Sequence, residues 1–137
     1  MEADLYGPTP LFEVFDMPTS IRFYRDKLGF RIHQTSPSLG PDRFHWAWLR
    51  RGDAEVMLNT AYENDNERPA EPEKARVAAH KDTGLFFGCP DVDAMYAELR
   101  SRGVEVREPE ITSYGMKSIN FLDPDGYGIC FHWRAES

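Results

Sequence analysis

Cysteine is scarce in this chain: Cys89 and Cys130 are the only two in 137 residues. Two thiols make no disulfide framework of the kind that staples small secreted domains. Both stand in strand-like runs, which predicts buried free thiols. Long apolar runs are absent too, and nothing approaches the roughly 18 consecutive apolar residues of a membrane span. The start, Met1-Glu2-Ala3-Asp4, lacks the basic residues and apolar stretch of a secretory signal. A cytoplasmic protein with no membrane partner is expected. Positive charge is in deficit, with 16 Lys and Arg against 23 Asp and Glu, a net −7. That balance repels phosphate backbones, so nucleic acid is not an expected partner. The glycines are scattered singly at turns, which excludes a phosphate-cradling loop. No spacing announces a nucleophile–base arrangement either.

What is present is a globular composition. Hydrophobic residues make up 41% of the chain, and the aromatics are spread along it, enough for one compact domain with its own core.

Leu11-Phe12-Glu13-Val14-Phe15 is a short run of strand formers. Asp16 and Pro18 then mark a helix start, and Ile21, Tyr24 and Leu28 follow at helical spacing. Gly29 closes that helix. Strands are predicted over 30–34, 44–49 and 54–60, with a loop at 36–42 and a hairpin turn at Arg51-Gly52-Asp53. Residues 61–82 are polar and turn-rich, with a weak helical pattern over 71–80. A connection this long joins two units or covers a site. The order then repeats. Leu85-Phe86-Phe87 reads as a strand, and Asp91 starts a helix carrying Val92, Met95 and Leu99. Gly103 ends it, and 104–107 reads as a short strand. The segments 117–122 and 127–133 form a hairpin across Asp123-Pro124-Asp125-Gly126, which has the residue preferences of a type I turn. Asp16 to Gly29 is 13 steps and Asp91 to Gly103 is 12, so the repeat is one of structure.

Three stretches carry a family resemblance. They are Asp16 to Phe30, with Phe23-Tyr24 and Leu28-Gly29-Phe30; Asp91 to Val104, with Arg102-Gly103-Val104; and Phe121-Leu122-Asp123-Pro124-Asp125-Gly126-Tyr127. In that order, over about 9–133, the chain resembles the glyoxalase/bleomycin-resistance/dioxygenase (vicinal oxygen chelate) superfamily. The resemblance implies an α+β fold. Two βαβββ modules would form a curved, mostly antiparallel sheet cup in a single domain over 1–137. Module one covers about 9–60, a linker 61–82, and module two about 83–134. It also implies a homodimer. Many members hold a divalent metal on His or Glu from the first and fourth strands of each module, where it polarises a substrate with vicinal oxygens.

Alignment to that pattern places Thr9, Leu58, Gly84 and Cys130 at the ligand positions. These side chains make no hard-metal site, so neither metal nor other cofactor is expected. Cys130 and His132 lie two apart on one strand and, with Glu13, are the remaining candidates for a shifted set. The metal-free reading resembles the bleomycin-resistance branch: a cup that binds a planar or partly apolar small molecule by aromatic stacking. Phe44, Trp46 and Trp48 alternate along one strand, and Phe15 and Phe86 stand on the first strands of the two modules. With Leu58, Met116, Cys130 and His132 they form the expected ligand-binding set. Ser118 and Asn120 alternate with Met116 toward the far wall. Phe12, Val14, Leu85 and Phe87 are expected to face the helices, and His33 and His80 to be solvated. The rival reading is a metal-dependent glyoxalase-like lyase or isomerase, or a ring-cleaving dioxygenase, with displaced ligands.

Overall fold

Two four-stranded sheets frame the molecule in the computed structural model, which describes residues 1–136. The first contains β1 (Leu11–Val14), β2 (Arg31–Thr35), β3 (Trp46–Arg51) and β4 (Ala54–Thr60), in spatial order β1-β4-β3-β2. The second contains β5 (Gly84–Gly88), β6 (Glu110–Ile111), β7 (Met116–Leu122) and β8 (Gly128–Arg134), in the order β5-β8-β7-β6. In each, the first strand lies parallel to the last and the remaining pairs are antiparallel. Helix α1 (Met17–Arg22) follows β1, α2 (Lys74–Ala79) sits in the connection, and α3 (Val92–Ser101) follows β5. This is the α+β, twice-repeated βαβββ architecture that the sequence implies.

The helix boundaries follow from local chemistry. Asp16 accepts the Thr19 amide at the start of α1, and Asp91 accepts the Ala94 amide at the start of α3. Each bond satisfies one of the orphan N–H groups of a first turn. Helix α1 widens into a π turn over Phe23–Lys27 before Gly29 ends it at φ +75°. Gly103 ends α3 at φ +82°. Both values lie where a Cβ is disfavoured.

Strand alternation sets the two faces of each sheet. Phe12, Val14, Ala47, Leu49, Val56 and Leu58 point inward from the first sheet; Ile119, Ile129 and Phe131 do so from the second. With Ile21, Tyr24 and Leu28 of α1 and Val92, Met95 and Leu99 of α3 they make one continuous core. Leu85 and Phe87 pack against it, as the alternation predicts. Two expectations are corrected here. Leu58 is fully buried on the helix side, because it alternates with Met57 and pairs with inward-facing Phe12. It therefore cannot line an outward cup. Residues 104–107 form no strand: Val104 N–H still bonds the Leu99 carbonyl at 2.9 Å, wrapping the helix end, and pairing with β7 begins only at Glu110.

The modules are tied by polar bonds that span the chain. Tyr24 Oη donates to Asp123 at 2.7 Å, and the Phe15 amide to Asp125 at 2.8 Å. The Phe12 and Tyr127 rings stack at 3.9 Å, and Arg51 grips both Glu98 oxygens. The 61–82 segment is strapped across this junction. Arg68 pairs with Asp16, and Arg76 reaches Asp125 and the Glu13 carbonyl. His80 is not solvated, contrary to expectation. Its Nδ1 donates to the Asp125 carbonyl at 2.6 Å and its ring stacks on Tyr127 at 3.9 Å. Among the described residues, no helix is long and apolar enough to cross a membrane.

Candidate functional site

The outward face of the second sheet carries the candidate site. Strand registers place its side chains in rows: Phe86, Cys130 and Asn120 in one, His132, Ser118 and Glu110 in the next. At the other end, Gly84 and Gly128 face each other across β5 and β8, with no side chain from either. A Cβ on Gly128 would meet the Gly84 Cα and the Thr83 carbonyl at 3.4 Å. The floor there is bare backbone. A cavity of about 520 Å³ opens above it, lined in part by Phe86, Ser118, Asn120, Leu122 and Cys130. That volume is in the range of small-molecule sites. Lys81, from the end of the strap, and Arg107, Glu108 and Glu110 complete its wall.

Phe86 is 64% exposed, a large ring left open over the cavity. His132 stands edge-on to it at 5.3 Å between centroids. Ser118 is only 7% exposed, and its Oγ accepts the Asn120 amide N–H at 3.1 Å. Burial pushes the Cys130 thiol up, so it stays protonated at neutral pH and acts as a wall rather than a nucleophile. Met116 and His132 share this outward face without lining the cavity.

The outward face of the first sheet carries Trp46, Trp48 and Met57. Trp46 and Trp48 are 6.4 Å apart between centroids, and His33 of β2 meets Trp48 edge-on at 4.8 Å. Arg50 lies over the Trp48 ring at 4.8 Å while its Nε bonds Glu55, which also accepts the Thr9 hydroxyl at 2.9 Å. Those two bonds, Thr9 first, hold the Glu55 carboxyl below its ordinary range. The Trp48 indole N–H is buried and has no partner among the described residues. Phe44 precedes β3 and falls off the expected three-residue stripe. Together with Phe15, Tyr62 and Arg68 it lines a separate depression of about 160 Å³.

The structure thus divides the expected set. Phe86 and Cys130 share the cavity, with Met116 and His132 beside it. Trp46 and Trp48 occupy the other sheet, Phe15 and Phe44 a third place, and Leu58 the core. Lys81 and Glu110 were invisible to sequence reasoning because both lie in irregular or edge segments. The glycines at 84 and 128, each inside a run of strand formers, are the sequence signal that could have found the cavity floor.

The residues do not fit a divalent ion. Thr9 is occupied with Glu55, Leu58 is in the core, Gly84 offers no ligand, and Cys130 stands alone. Glu13 lies on the first sheet, Cys130 and His132 on the second. Among the described residues, no three His, Cys, Asp or Glu side chains converge. A metal centre wants three or four such donors.

Comparison with known structures returns the same architecture repeatedly. A glyoxalase/bleomycin resistance protein/dioxygenase from Nocardioides is 21% identical with a TM-score of 0.67, covering 99% of this chain and 88% of that one. A bleomycin-binding protein complexed with bleomycin is 19% identical, with a TM-score of 0.65 and coverage of 97% and 100%. A bleomycin resistance determinant encoded on the transposon Tn5 gives 20%, 0.66, 97% and 100%. At such identities these likenesses show the fold alone. No curated protein matches the chain. The family model for the Glyoxalase/Bleomycin resistance protein/Dioxygenase superfamily matches residues 11–131. With that match over most of its length, and two βαβββ modules on one core, the chain belongs to the Glyoxalase/Bleomycin resistance protein/Dioxygenase superfamily.

Proposed function

We propose that this protein is a metal-free binder of a planar, partly apolar small molecule, held in the cup of the second sheet. The observation that carries the reading is the exposed Phe86 ring over a cavity of about 520 Å³. The positions that the resemblance assigns to metal ligands hold Thr9, Leu58, Gly84 and Cys130, which make no hard-metal site. A flat ligand stacked on Phe86 covers apolar area at roughly 25 cal/mol per Å² and gains about 0.5–1.5 kcal/mol more from ring geometry. The bleomycin-binding neighbour supports a ligand of this general kind.

The reading includes a cytoplasmic homodimer, supported by the two free thiols and by apolar side chains left open on both outward faces, Leu11 and Leu122 among them. In it, Trp46 and Trp48 form a second aromatic wall. Calorimetric titration with bleomycin and with smaller flat heterocycles tests the proposal. Binding that weakens at least tenfold in Phe86→Ala, with no divalent metal found by elemental analysis, supports it. Stoichiometric metal that disappears in His132→Ala would overturn it. Light scattering that shows only monomer would remove the dimer. Unchanged binding in both Trp46→Phe and Trp48→Phe would remove the second wall.

A further inference from the structure

The cup presents a matched hydrogen-bonding pair beside its exposed ring. Ser118 is nine-tenths buried, and its Oγ accepts one bond, from Asn120 Nδ2 at 3.1 Å. Its own hydroxyl proton has no acceptor among the hydrogen bonds of the described residues, and neither does Asn120 Oδ1 receive a donor. Both residues line the cavity. A buried hydroxyl rarely leaves its proton unpaired, since the missing bond costs free energy in a low-dielectric site. The cavity therefore offers a donor, the Ser118 O–H, and an acceptor, the Asn120 carbonyl, side by side, with the second Asn120 N–H next to them. Turning the Asn120 amide over exchanges the two roles, the Ser118 oxygen then accepting and the Asn120 N–H groups donating. The charges at the mouth cancel, Lys81 and Arg107 against Glu108 and Glu110, so they select no net charge.

We propose that this cup selects flat ligands bearing a cis-amide edge, a ring lactam or a carboxamide. The ligand carbonyl accepts from Ser118, its N–H donates to Asn120, and its ring lies against Phe86. The inference rests on the small-molecule reading above and narrows it to one ligand chemistry. A ligand edge with only donors or only acceptors leaves one of the two protein groups unpaired, which is how a polar pocket discriminates.

The test uses two probes of nearly the same shape, 2-quinolinone and N-methyl-2-quinolinone, on the full chain. Affinities are measured by calorimetry, and the site by amide chemical-shift changes. The lactam is expected to bind about tenfold more tightly than its N-methyl form, the size of one net hydrogen bond. Ser118→Ala removes the bond to the carbonyl that both probes carry, so it should weaken both about tenfold and keep their difference, with an unchanged dispersion of amide signals showing that the variant is folded. Asn120→Ala, at an exposed position, removes the acceptor for the N–H and should erase the difference. Equal affinities in the unaltered protein would overturn the cis-amide assignment and leave the cup standing. A difference that survives Asn120→Ala, or affinities that Ser118→Ala leaves unchanged, would overturn the roles of Ser118 and Asn120. Shifts in the cup from neither probe would overturn this inference and the reading beneath it.

Discussion

Asp123 should make the protein more stable at mildly acidic pH than at neutral pH. Its carboxyl is 6% exposed at the start of the β7–β8 turn. Burial drives its pKa from 3.8 up to about 6, and the neighbouring Asp125 charge pushes the same way. Bonds from Tyr24 and from the Tyr127 and Asp125 amides oppose the rise without cancelling it. The folded protein thus holds this proton more tightly than the unfolded chain does. Its contribution favours folding fully below about pH 4 and is lost as the pH rises through about 6. A shift of about two units corresponds to about 3 kcal/mol. Asp123→Asn keeps an oxygen for the two backbone amides and turns the Tyr24 hydroxyl from donor to acceptor, with no buried charge. Urea midpoints followed by tryptophan fluorescence should fall for the parent between pH 5 and pH 7, and should stay nearly level for the variant. The depressed carboxyls, Asp26, Asp42, Glu55 and Glu98, titrate below this window. A parent midpoint that is flat over pH 5–7, or a variant that falls in parallel with it, refutes the assignment.

Gly126 adopts φ +86°, and an added Cβ would sit 2.6 Å from the Val77 carbonyl of the strap. Gly126→Ala should therefore lower stability by at least ~2 kcal/mol, and limited proteolysis should then cut first within 61–82. Leu58→Ala should cost about 2–5 kcal/mol in chemical denaturation, because the side chain is core; a loss below 1 kcal/mol would place it elsewhere. Burial raises both thiols, Cys89 and Cys130. A disulfide thiol reagent at pH 7.5 should label them slowly in the native protein and at once in urea, and fast native labelling would contradict that environment.

Most of the architecture could be read from local chemistry. Asp16 and Asp91 cap helices, Gly29 and Gly103 stop them, and Asp123 to Gly126 turn a hairpin, all through contacts within a few residues. The inward faces of β1 and β5 also followed from simple alternation. What failed was information that alternation does not contain. Along β4, Val56 and Leu58 differ little in character from Met57, so sequence alone did not say which set meets the helices. The strap was legible only as a long polar segment. Its anchors, Arg76 and His80, find Asp125 at separations of 49 and 45 residues. The cavity showed itself only weakly, since two glycines and a serine–asparagine pair become a site only when three strands bring them together. His80 looked like a solvated loop residue for the same reason: its partner, Tyr127, lies in the other half of the sequence.

The bond from the Phe15 amide to Asp125 has a consequence for biosynthesis. It spans 110 residues, joining the first strand to the last turn. The residues of β1 and α1 leave the ribosome well before the β7–β8 turn, yet Phe15 N–H, the Tyr24 hydroxyl and the flat face of Phe12 find their partners only when residues 123–127 follow. Translation thus has to pass residue 127 before the segment that carries β1 and α1 is locked. Pairings of this sequence separation are slow to form, and the half-made product shows open strand edges and unsealed aromatic surface meanwhile. A chain halted short of Asp123 is for that reason a substrate for chaperones and proteases rather than a smaller version of the protein.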